Sequence, residues 1–302
     1  MSRACSAGRW VFTPETTAVT LAEACRMAGL DPAGARLMRL GTNAVYRLTS
    51  PVVVRIARAD RLSEMKRTVA VARWLASVGY PAVRALSADQ PMVIDGSAAT
   101  FWEALPDGDT YASAAQVAHV LVRLHSLRWP DGVDLPEFDP LGPIARRLDS
   151  GTWLSADDRT FLTERLDLLR GRYAELDFVL PRGVIHGDAN VGNVLVDGDG
   201  QPVVIDLDSF AVGPREWDLI QTAIFYDRFG WHSQEEYRSF VEVYGFDIMQ
   251  WPGYPVLRDI RELHMVSWLI QNAADSERVA TEARKRIDSL RTDGSRRDWK
   301  PY

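Results

Sequence analysis

Three side chains with oxygen atoms that could do chemistry lie in one short stretch of the sequence. Asp188 and Asn193 are five positions apart, and Asp206 follows directly after the apolar run 203–205. Transfer of a phosphoryl group from ATP needs a carboxylate that accepts the proton of the attacking hydroxyl. It also needs oxygen ligands that hold Mg²⁺ against the phosphates. These residue types, in this order, are therefore consistent with phosphoryl transfer.

The residues around them are typical of a known family. Positions 184–195 read Val-Ile-His-Gly-Asp-Ala-Asn-Val-Gly-Asn-Val-Leu, and positions 203–208 read Val-Val-Ile-Asp-Leu-Asp. Both runs resemble the aminoglycoside phosphotransferase and choline kinase-like family. That family has a His-Gly-Asp-x-x-x-x-Asn catalytic loop and a metal strand that ends in Ile-Asp. Gly-Pro-Arg-Glu-Trp-Asp at 213–218 is similar to the segment that follows the metal strand in the family.

The resemblance implies roles for the three residues. Asp188 would position and deprotonate the acceptor hydroxyl, and Asn193 and Asp206 would bind Mg²⁺. ATP would donate the phosphoryl group, with GTP as the alternative nucleotide. The acceptor would be a small molecule such as an aminoglycoside or another antibiotic, a sugar or an amino alcohol.

Composition excludes several other classes of protein. The 302 residues are 46% hydrophobic and 25% charged, which is enough for the core of a two-lobed globular chain. A net charge of −6 argues against a nucleic-acid partner. Only two cysteines, Cys5 and Cys25, occur, so a disulfide framework is not expected. Met1–Val11 has no apolar signal core, and no apolar run approaches the ~20 residues of a membrane span. We therefore expect a cytoplasmic protein without membrane association, and the composition leaves its oligomeric state open.

The order of elements predicts an α+β, two-lobed protein kinase-like fold. Hydrophobic periodicity indicates a small antiparallel sheet with packed helices in the first hundred residues, including a hairpin at Asp95-Gly96. Residues 1–104 are the expected nucleotide-binding lobe, and residues 105–302 are the expected larger, mainly helical lobe that binds the acceptor. Polar residues 292–302 are expected to be loosely packed.

The nucleotide side is expected in the first lobe. In a kinase, the turn of the first hairpin covers the phosphates through backbone N–H groups, and Gly41 permits close approach. By resemblance, the backbone at the end of the last strand would contact the adenine edge, although ordinary strand packing also explains its two aromatic side chains. The candidate nucleotide-binding residues in these two segments are Gly41, Thr42, Asn43, Phe101, Trp102, Glu103 and Leu105.

Arg55 departs from the family pattern. The family has a Lys on this strand, paired with a helix Glu, whereas this chain has Arg55 and places Thr68 where the Glu is expected. Arg can bind phosphate through two donors, although its geometry differs from that of Lys. Glu64, one helical turn before Thr68, is one candidate partner of Arg55. The alternative is that Arg55 stands alone and Glu64 is a solvated charge.

Other polar residues have more than one interpretation. Asp208, two positions after Asp206, could contact metal or substrate or could be structural. His186 is expected to brace the catalytic loop, and His125 to be a satisfied structural histidine. Asp218 is expected to fix that loop or to cap the following helix.

The acceptor pocket is expected between the catalytic loop and the aromatic-rich segment 226–268. Most of these aromatic side chains should be core, and a few would face a ligand. Trp231, His232 and Glu262 are the candidate acceptor contacts there. A carboxylate would suit a cationic acceptor such as an aminoglycoside.

Two other functions compete with a small-molecule kinase. The altered Lys–Glu pair is compatible with a pseudokinase that binds nucleotide as a regulator, but retention of Asp188, Asn193 and Asp206 argues against it. A protein kinase is disfavoured by the His-Gly-Asp form of the loop and by the lack of an Asp-Phe-Gly sequence.

Overall fold

The computed structural model describes residues 12–105, 110–129, 132–274 and 276–301. The chain divides into two compact units. The first comprises the described residues of Met1–Thr110, Pro130–Asp134 and Leu195–Asp208. The second comprises those of Tyr111–Trp129, Leu135–Val194 and Ser209–Tyr302. No helix in these described ranges is long and apolar enough to cross a membrane.

The first unit is built on an antiparallel sheet. Its helices and strands up to residue 105 are α1 (Pro14–Ala28), β1 (Arg36–Leu40), β2 (Ala44–Arg47), β3 (Val52–Arg58), α2 (Leu62–Ser77), β4 (Met92–Ile94) and β5 (Ser97–Glu103). The strand order in the sheet is β1-β2-β3-β5-β4. Asp95 and Gly96 both have positive φ, as the tight β4–β5 turn requires, so the hairpin predicted at Asp95-Gly96 is confirmed.

The alternation of buried and less buried side chains along β3 explains how the sheet packs. Val54 and Ile56 are fully buried, while Arg55 between them points to the opposite face, as the period-2 geometry of a strand requires. Leu21, Ala24 and Cys25 of α1 belong to the same buried cluster as these strand residues. β3 pairs along its whole length with β5, so Arg55 lies on a central, well-supported strand.

A short hairpin later in the chain belongs to the first unit from Leu195 onward. β7 (Val194–Val196) pairs with β8 (Pro202–Val204). The amide of Val83 donates to the carbonyl of Val204, and the amide of Val204 donates to the carbonyl of Pro81. These bonds tie the hairpin to residues near 80, and Asp206 and Asp208 directly follow β8.

The second unit is mainly helical. Its elements are α3 (Ala114–Ser126), α4 (Gly142–Ser150), α5 (Ala156–Ala174), β6 (Gly183–Ile185), β9 (Ala211–Gly213), α6 (Glu216–Ile224), α7 (Gln234–Tyr244), α8 (Tyr254–Ala273) and α9 (Glu277–Arg291). β6 and β9 form a two-stranded antiparallel pair. The long helix α8 is buried on several sides, since it packs against α4, α5, α6 and α9. The sheet-rich first part and the helical later part that the sequence predicts are therefore confirmed.

The end of the chain is packed more tightly than the sequence suggests. Arg296 and Trp299 are 2% and 1% exposed, and the Arg296 guanidinium binds Glu262 of α8. The expectation of a loose segment was wrong for these residues, because their side chains complete the packing beside α8.

Candidate active site

The catalytic loop begins where β6 ends, and its backbone is held by Asp218. Gly187 has φ of 81°, and a Cβ at this position would meet the carbonyl oxygen of Ser209, so the turn requires glycine. The Asp218 carboxylate accepts the amide N–H of His186 at 2.7 Å and that of Gly187 at 2.8 Å. Asp218 therefore fixes the loop, which was one of its two predicted roles.

A buried polar network holds Asp218 in turn. His125 Nε2 lies 3.0 Å from the Asp218 carboxylate, and its Nδ1 lies 2.8 Å from the hydroxyl of Tyr244. Trp217 Nε1 donates to the carbonyl of Gly187 at 2.9 Å. The prediction that His125 is a satisfied structural residue is confirmed, because both ring nitrogens have partners.

Asp188 lies at the head of this loop, and each carboxylate oxygen has a partner. Asn193 Nδ2 donates to the Asp188 carbonyl at 2.8 Å and to its Oδ2 at 3.1 Å, while Arg261 of α8 donates to its Oδ1. The Asp188 amide donates to His186 Nδ1, so His186 braces the loop as expected. The Asp188 side chain is 34% exposed, which leaves room for a ligand to approach it.

Arg261, the partner of Asp188, lies close to Arg147 and His264. Arg261 also contacts the ring of Trp217, with its guanidinium carbon 5.7 Å from the ring centroid. Arg147 Nη1 lies 3.3 Å from His264 Nε2 and 3.3 Å from Ser267 Oγ. Burial, with the nearby charges of Arg261 and Arg147, holds the pKa of His264 well below its usual value, so His264 is neutral near pH 7.

In the first unit, Arg55 binds Asp208. Arg55 Nη1 donates to Asp208 Oδ1 at 2.8 Å, and Nη2 donates to Oδ2, so the pair is bidentate. Thr68 Oγ1 of α2 also donates to Asp208 Oδ1, at 2.8 Å. Burial raises the pKa of the Asp208 carboxyl, but the bond and charge of Arg55 outweigh this, so the pKa is lowered overall.

The hypothesis that Glu64 pairs directly with Arg55 was wrong. Glu64 Oε2 binds Arg61 instead, with Nη2 at 2.7 Å. Glu64 contributes only a more distant favourable charge that raises the pKa of Arg55. The Arg55 guanidinium is bonded to Asp208 and Asn43 instead, so Arg55 and Glu64 have separate partners.

The turn between β1 and β2 lies beside the same guanidinium. With its side-chain oxygen facing Arg55, Asn43 accepts from Nε at 3.1 Å and from Nη2 at 2.6 Å. The amide of Gly41 donates to the carbonyl of Asn43 at 3.0 Å, which closes the turn. Gly41 and Thr42 are exposed, and a Cβ at Gly41 would meet no atom within 4 Å. The turn and Arg55, which the sequence analysis assigned to the same nucleotide site, therefore lie next to each other.

Asp206 follows β8 in a conformation that is uncommon for a residue with a side chain. Its φ is 55°, and it is exposed. Asn193 uses Nδ2 for both of its bonds to Asp188, which leaves its amide oxygen as the atom suited to a metal. Within the described ranges no three His, Cys, Asp or Glu side chains are grouped to hold a metal ion. Asp206 and Asn193 each offer an oxygen atom, the donor type that Mg²⁺ prefers.

The segment predicted to contact adenine is largely occupied by protein contacts. Phe101 is fully buried, and Trp102 is 8% exposed with its Nε1 bonded to Thr100 Oγ1 at 3.0 Å. The amides of Phe101, Glu103 and Ala104 donate to Gln90 Oε1, Arg84 O and Pro51 O, and the Leu105 carbonyl accepts from Arg47. Strand packing thus explains both aromatic side chains, and a base would need other backbone groups of this segment.

Two of the three predicted acceptor contacts, Glu262 and Trp231, have protein partners, and the third, His232, is buried. Glu262 has 0% exposure, and its two carboxylate oxygens accept from Arg228 at 2.8 Å and from Arg296 at 3.0 Å. Its prediction as an acceptor contact was wrong, because a carboxylate enclosed by two guanidinium groups cannot face a ligand. Trp231 donates from Nε1 to the carbonyl of Trp299, and His232 is 9% exposed. Burial lowers the pKa of His232, so it is a neutral residue of an aromatic cluster.

Sequence reasoning missed Arg147 and Arg261. Arg261 is adjacent to Glu262 on α8, so the neighbouring position was considered but the wrong side chain was chosen. The sequence did contain part of the information needed to find Arg261. Arg261 and Glu262 lie between Ile260 and Leu263, in a helix whose apolar pattern indicates that it is buried. A charge at such a position needs a buried partner. Which charge faced Asp188 depended on the rotation of α8, which the sequence pattern does not define.

Comparison with known proteins decides the family. A model of the phosphotransferase enzyme family matches residues 39–260, which is most of the chain. The chain belongs to this phosphotransferase family. The resemblance carried by Asp188, Asn193 and Asp206 is thereby confirmed, and the protein is a phosphotransferase. No curated protein matches the chain.

Solved structures show the fold. The amicoumacin kinase hAmiN is 14% identical, with a TM-score of 0.71 over 95% of this chain and 97% of that one. The spectinomycin phosphotransferase APH(9)-Ia is 15% identical, with a TM-score of 0.63 over 92% of this chain and 95% of that one. The choline kinase LicA from Streptococcus pneumoniae is 15% identical, with a TM-score of 0.64 over 90% of this chain and 98% of that one. The predicted protein kinase-like fold is therefore confirmed.

Proposed function

We propose that this phosphotransferase transfers the γ-phosphoryl group of ATP, or of GTP, to a hydroxyl of a small molecule. The main support for the proposal is the environment of the Asp188 side chain. The loop that bears it is held by Asp218, its carboxylate is bonded to Asn193 and Arg261, and a third of the side chain is exposed. A general base must be held in place and still be reachable by the hydroxyl whose proton it takes.

The reaction assigns Asp188 two tasks. It accepts a hydrogen bond from the acceptor hydroxyl, which orients the oxygen, and it takes the proton as the oxygen attacks the γ-phosphorus. The bond from that phosphorus to the bridging oxygen breaks, and the nucleoside diphosphate leaves. Asn193 Nδ2 keeps the carboxylate in one orientation through this step.

Arg55 and the turn Gly41–Asn43 are the proposed ligands of the nucleotide phosphates. The turn supplies small or polar residues with exposed backbone at Gly41 and Thr42, and Arg55 supplies a guanidinium on a central strand. We propose that Asp208 orients this guanidinium in place of the helix glutamate, since Asp208 binds both Arg55 and Thr68. Glu64 then affects nucleotide binding only weakly.

Asn193 and Asp206 are the proposed protein ligands of Mg²⁺, which when bound neutralises phosphate charge. Both residues offer oxygen atoms, the donor type that this hard cation prefers. Their assignment follows from the family motif, together with the Nδ2 bonds of Asn193, which leave its amide oxygen for a ligand.

The solved structures suggest donors and acceptors to try first. They include complexes with AMP-PNP and Ca²⁺, with ADP and spectinomycin, and with GDP and kanamycin. Others are choline kinases. Antibiotics, sugars and amino alcohols are accordingly the proposed acceptor classes, with ATP and GTP as the proposed donors.

The test is acceptor-dependent release of nucleoside diphosphate. Purified protein is incubated with ATP or GTP, with or without Mg²⁺, and with each member of a panel of aminoglycosides, spectinomycin, choline and simple sugars and their acids. We expect at least one acceptor to raise ADP or GDP release well above the rate with water alone, and only with the metal present. Metal-independent or acceptor-independent release across the panel would contradict the proposal.

A further inference from the structure

The region beside Asp188 carries more positive than negative charge. Arg261 bonds to Asp188, and Arg147 is near enough for the charge of Asp188 to raise its pKa, whereas burial and the two guanidinium groups hold the pKa of His264 well below its usual value, so His264 is neutral near pH 7. Arg261 is paired with Asp188. Among the described residues, Arg147 forms no salt bridge, and its contacts are to the neutral groups His264 and Ser267.

This excess charge is partly buried. The Arg261 side chain is 6% exposed, and its Nε lies buried without a hydrogen-bond acceptor in the described residues. Burial and the like charges of Arg261 and Arg146 lower the pKa of Arg147 to about 10. Buried charges and buried donors are normally paired, so this arrangement indicates a missing anionic partner.

We propose that the acceptor carries an anionic group, a carboxylate or a phosphate, which Arg147 and Arg261 bind beside the catalytic base. The inference rests on the proposed function of Asp188 as that base. Planar guanidinium groups bind carboxylates and phosphates through paired N–H donors, so two of them suit such a group well. Because Arg261 bonds directly to Asp188, the anionic group lies only a few bonds from the reacting hydroxyl.

The alternative source of negative charge is the nucleotide. Arg147 lies on α4 and Arg261 on α8, and both belong to the same compact unit as Asp188. The nucleotide phosphates already have a proposed cation, Arg55, with Asp208 as its partner. The charges therefore favour the acceptor as the source of the anionic group. An anionic acceptor is the opposite of the cationic acceptor that Glu262 suggested in the sequence.

Arg147→Gln removes one guanidinium, and Arg146→Gln is the matched control. Arg146 is the neighbouring arginine of α4, its side chain is exposed, and it has no proposed role at the site. Thermal unfolding of the wild type and both variants is measured with increasing sulfate, phosphate or citrate at constant ionic strength. We expect saturable stabilisation of the wild type and of Arg146→Gln, and at least a tenfold weaker apparent affinity in Arg147→Gln. Equal responses of all three proteins would overturn the proposal.

Kinetics separate this proposal from the proposed function. Glycerate and glycerol, gluconate and sorbitol, and glucose 6-phosphate and glucose form matched anionic and neutral pairs, with kanamycin, spectinomycin and choline as cationic acceptors. We expect the anionic members to have the higher kcat/KM, and Arg147→Gln to raise KM for the acceptor at least tenfold while KM for ATP stays within twofold.

The other possible results of these experiments distinguish the anionic acceptor from the phosphotransferase function. Turnover only with the cationic acceptors would overturn the anionic acceptor and leave the phosphotransferase function standing. A rise in KM for ATP alone would assign Arg147 to the nucleotide and also overturn the proposal. Anion binding that depends on Arg147 without phosphoryl transfer to any acceptor would support the anion site and count against the proposed function.

Discussion

Asp208 forms a bidentate ion pair with Arg55, and Thr68 donates to the same carboxylate. Asp208 lies two residues after the proposed metal ligand Asp206, whereas Arg55 lies on β3 and Thr68 on α2. Thr68 stands on α2 where the family pattern has a glutamate, and the carboxylate bonded to Arg55 lies on the segment after β8. The consequence is that the orientation of Arg55 depends on the conformation of the segment that also carries Asp206.

The first prediction concerns this ion pair. Asp208→Asn removes the charge of Arg55's partner while keeping a side chain of similar size. Both side chains are about one-fifth exposed, so we expect a loss of about 1–3 kcal/mol in stability, between the values for exposed and buried pairs. KM for ATP should rise about tenfold because Arg55 is no longer held. Chemical denaturation and steady-state kinetics measure the two effects.

A relocated carboxylate provides the control. Thr68→Glu in the Asp208→Asn background returns a carboxylate to the helix position, and it should recover part of the lost ATP affinity. Glu64→Gln should change KM for ATP less than threefold, since Glu64 binds Arg61. A larger effect from Glu64→Gln than from Asp208→Asn would show that the pair has been assigned to the wrong carboxylate.

The second prediction concerns Arg55 itself. Arg55→Ala should raise KM for ATP and lower kcat, because the phosphates lose a positively charged ligand. Arg55→Lys should recover this only in part, since an ammonium lacks the planar pair of donors that bonds both oxygens of Asp208. Initial rates measured at varied ATP concentration give KM for ATP and kcat for each variant. Full activity of Arg55→Lys would mean that charge alone, without bidentate geometry, serves the site.

The third prediction concerns the turn that leads to Asp188. Gly187→Ala places a Cβ at a residue with φ of 81° and against the Ser209 carbonyl. We expect a loss of about 2 kcal/mol or more in stability from the left-handed conformation and the displaced contact, with a fall in kcat. Urea denaturation measures the first and single-turnover kinetics the second.

Gly171→Ala is the matched glycine control. Gly171 lies in α5, is exposed, and a Cβ there would meet no atom within 4 Å. This substitution should stabilise the protein by about 0.5–1 kcal/mol, as expected for an exposed helix position. The same small gain for Gly187→Ala would be inconsistent with the conformation described for the loop.

The fourth prediction concerns pH. The folded pKa of His264 is well below its value of about 6.5 in an unfolded chain, so below that pH the unfolded state binds one more proton than the folded state. The contribution to stability is present above pH ~6.5 and is lost as pH falls. Relative to His264→Gln, the wild type should lose stability increasingly steeply as the pH falls through 6.5, approaching about 1.4 kcal/mol per pH unit at lower pH. Parallel stability curves for the two proteins between pH 7.5 and 5 would contradict the depressed pKa.

The sequence was a good guide to parts of the site that are local in the chain. Asp188 and Asn193 follow from spacing within a loop, the Asp218 anchor follows from the family-like segment 213–218, and the turn at Gly41 follows from its two strands. The partners of charged residues were less predictable. Asp208 lies far from Arg55 in sequence, and the assignment of Glu262 in place of Arg261 depended on how α8 is rotated in its packing. Long-range pairing of charges depends on tertiary packing, which spacing along one chain does not reveal.

The most direct test of the central claim is the turnover of Asp188→Asn with the best acceptor found in the panel. Asparagine keeps the size of the side chain, its single amide oxygen can still accept from Arg261, and Asn193 Nδ2 keeps its bond to the backbone carbonyl of residue 188, but the amide cannot take the hydroxyl proton. We predict a folded protein with nucleotide affinity near that of the wild type and with kcat reduced by about 10²–10⁴-fold, the range for loss of a general base. A folded Asp188→Asn protein with kcat close to the wild-type value would contradict the assignment of Asp188 as the base.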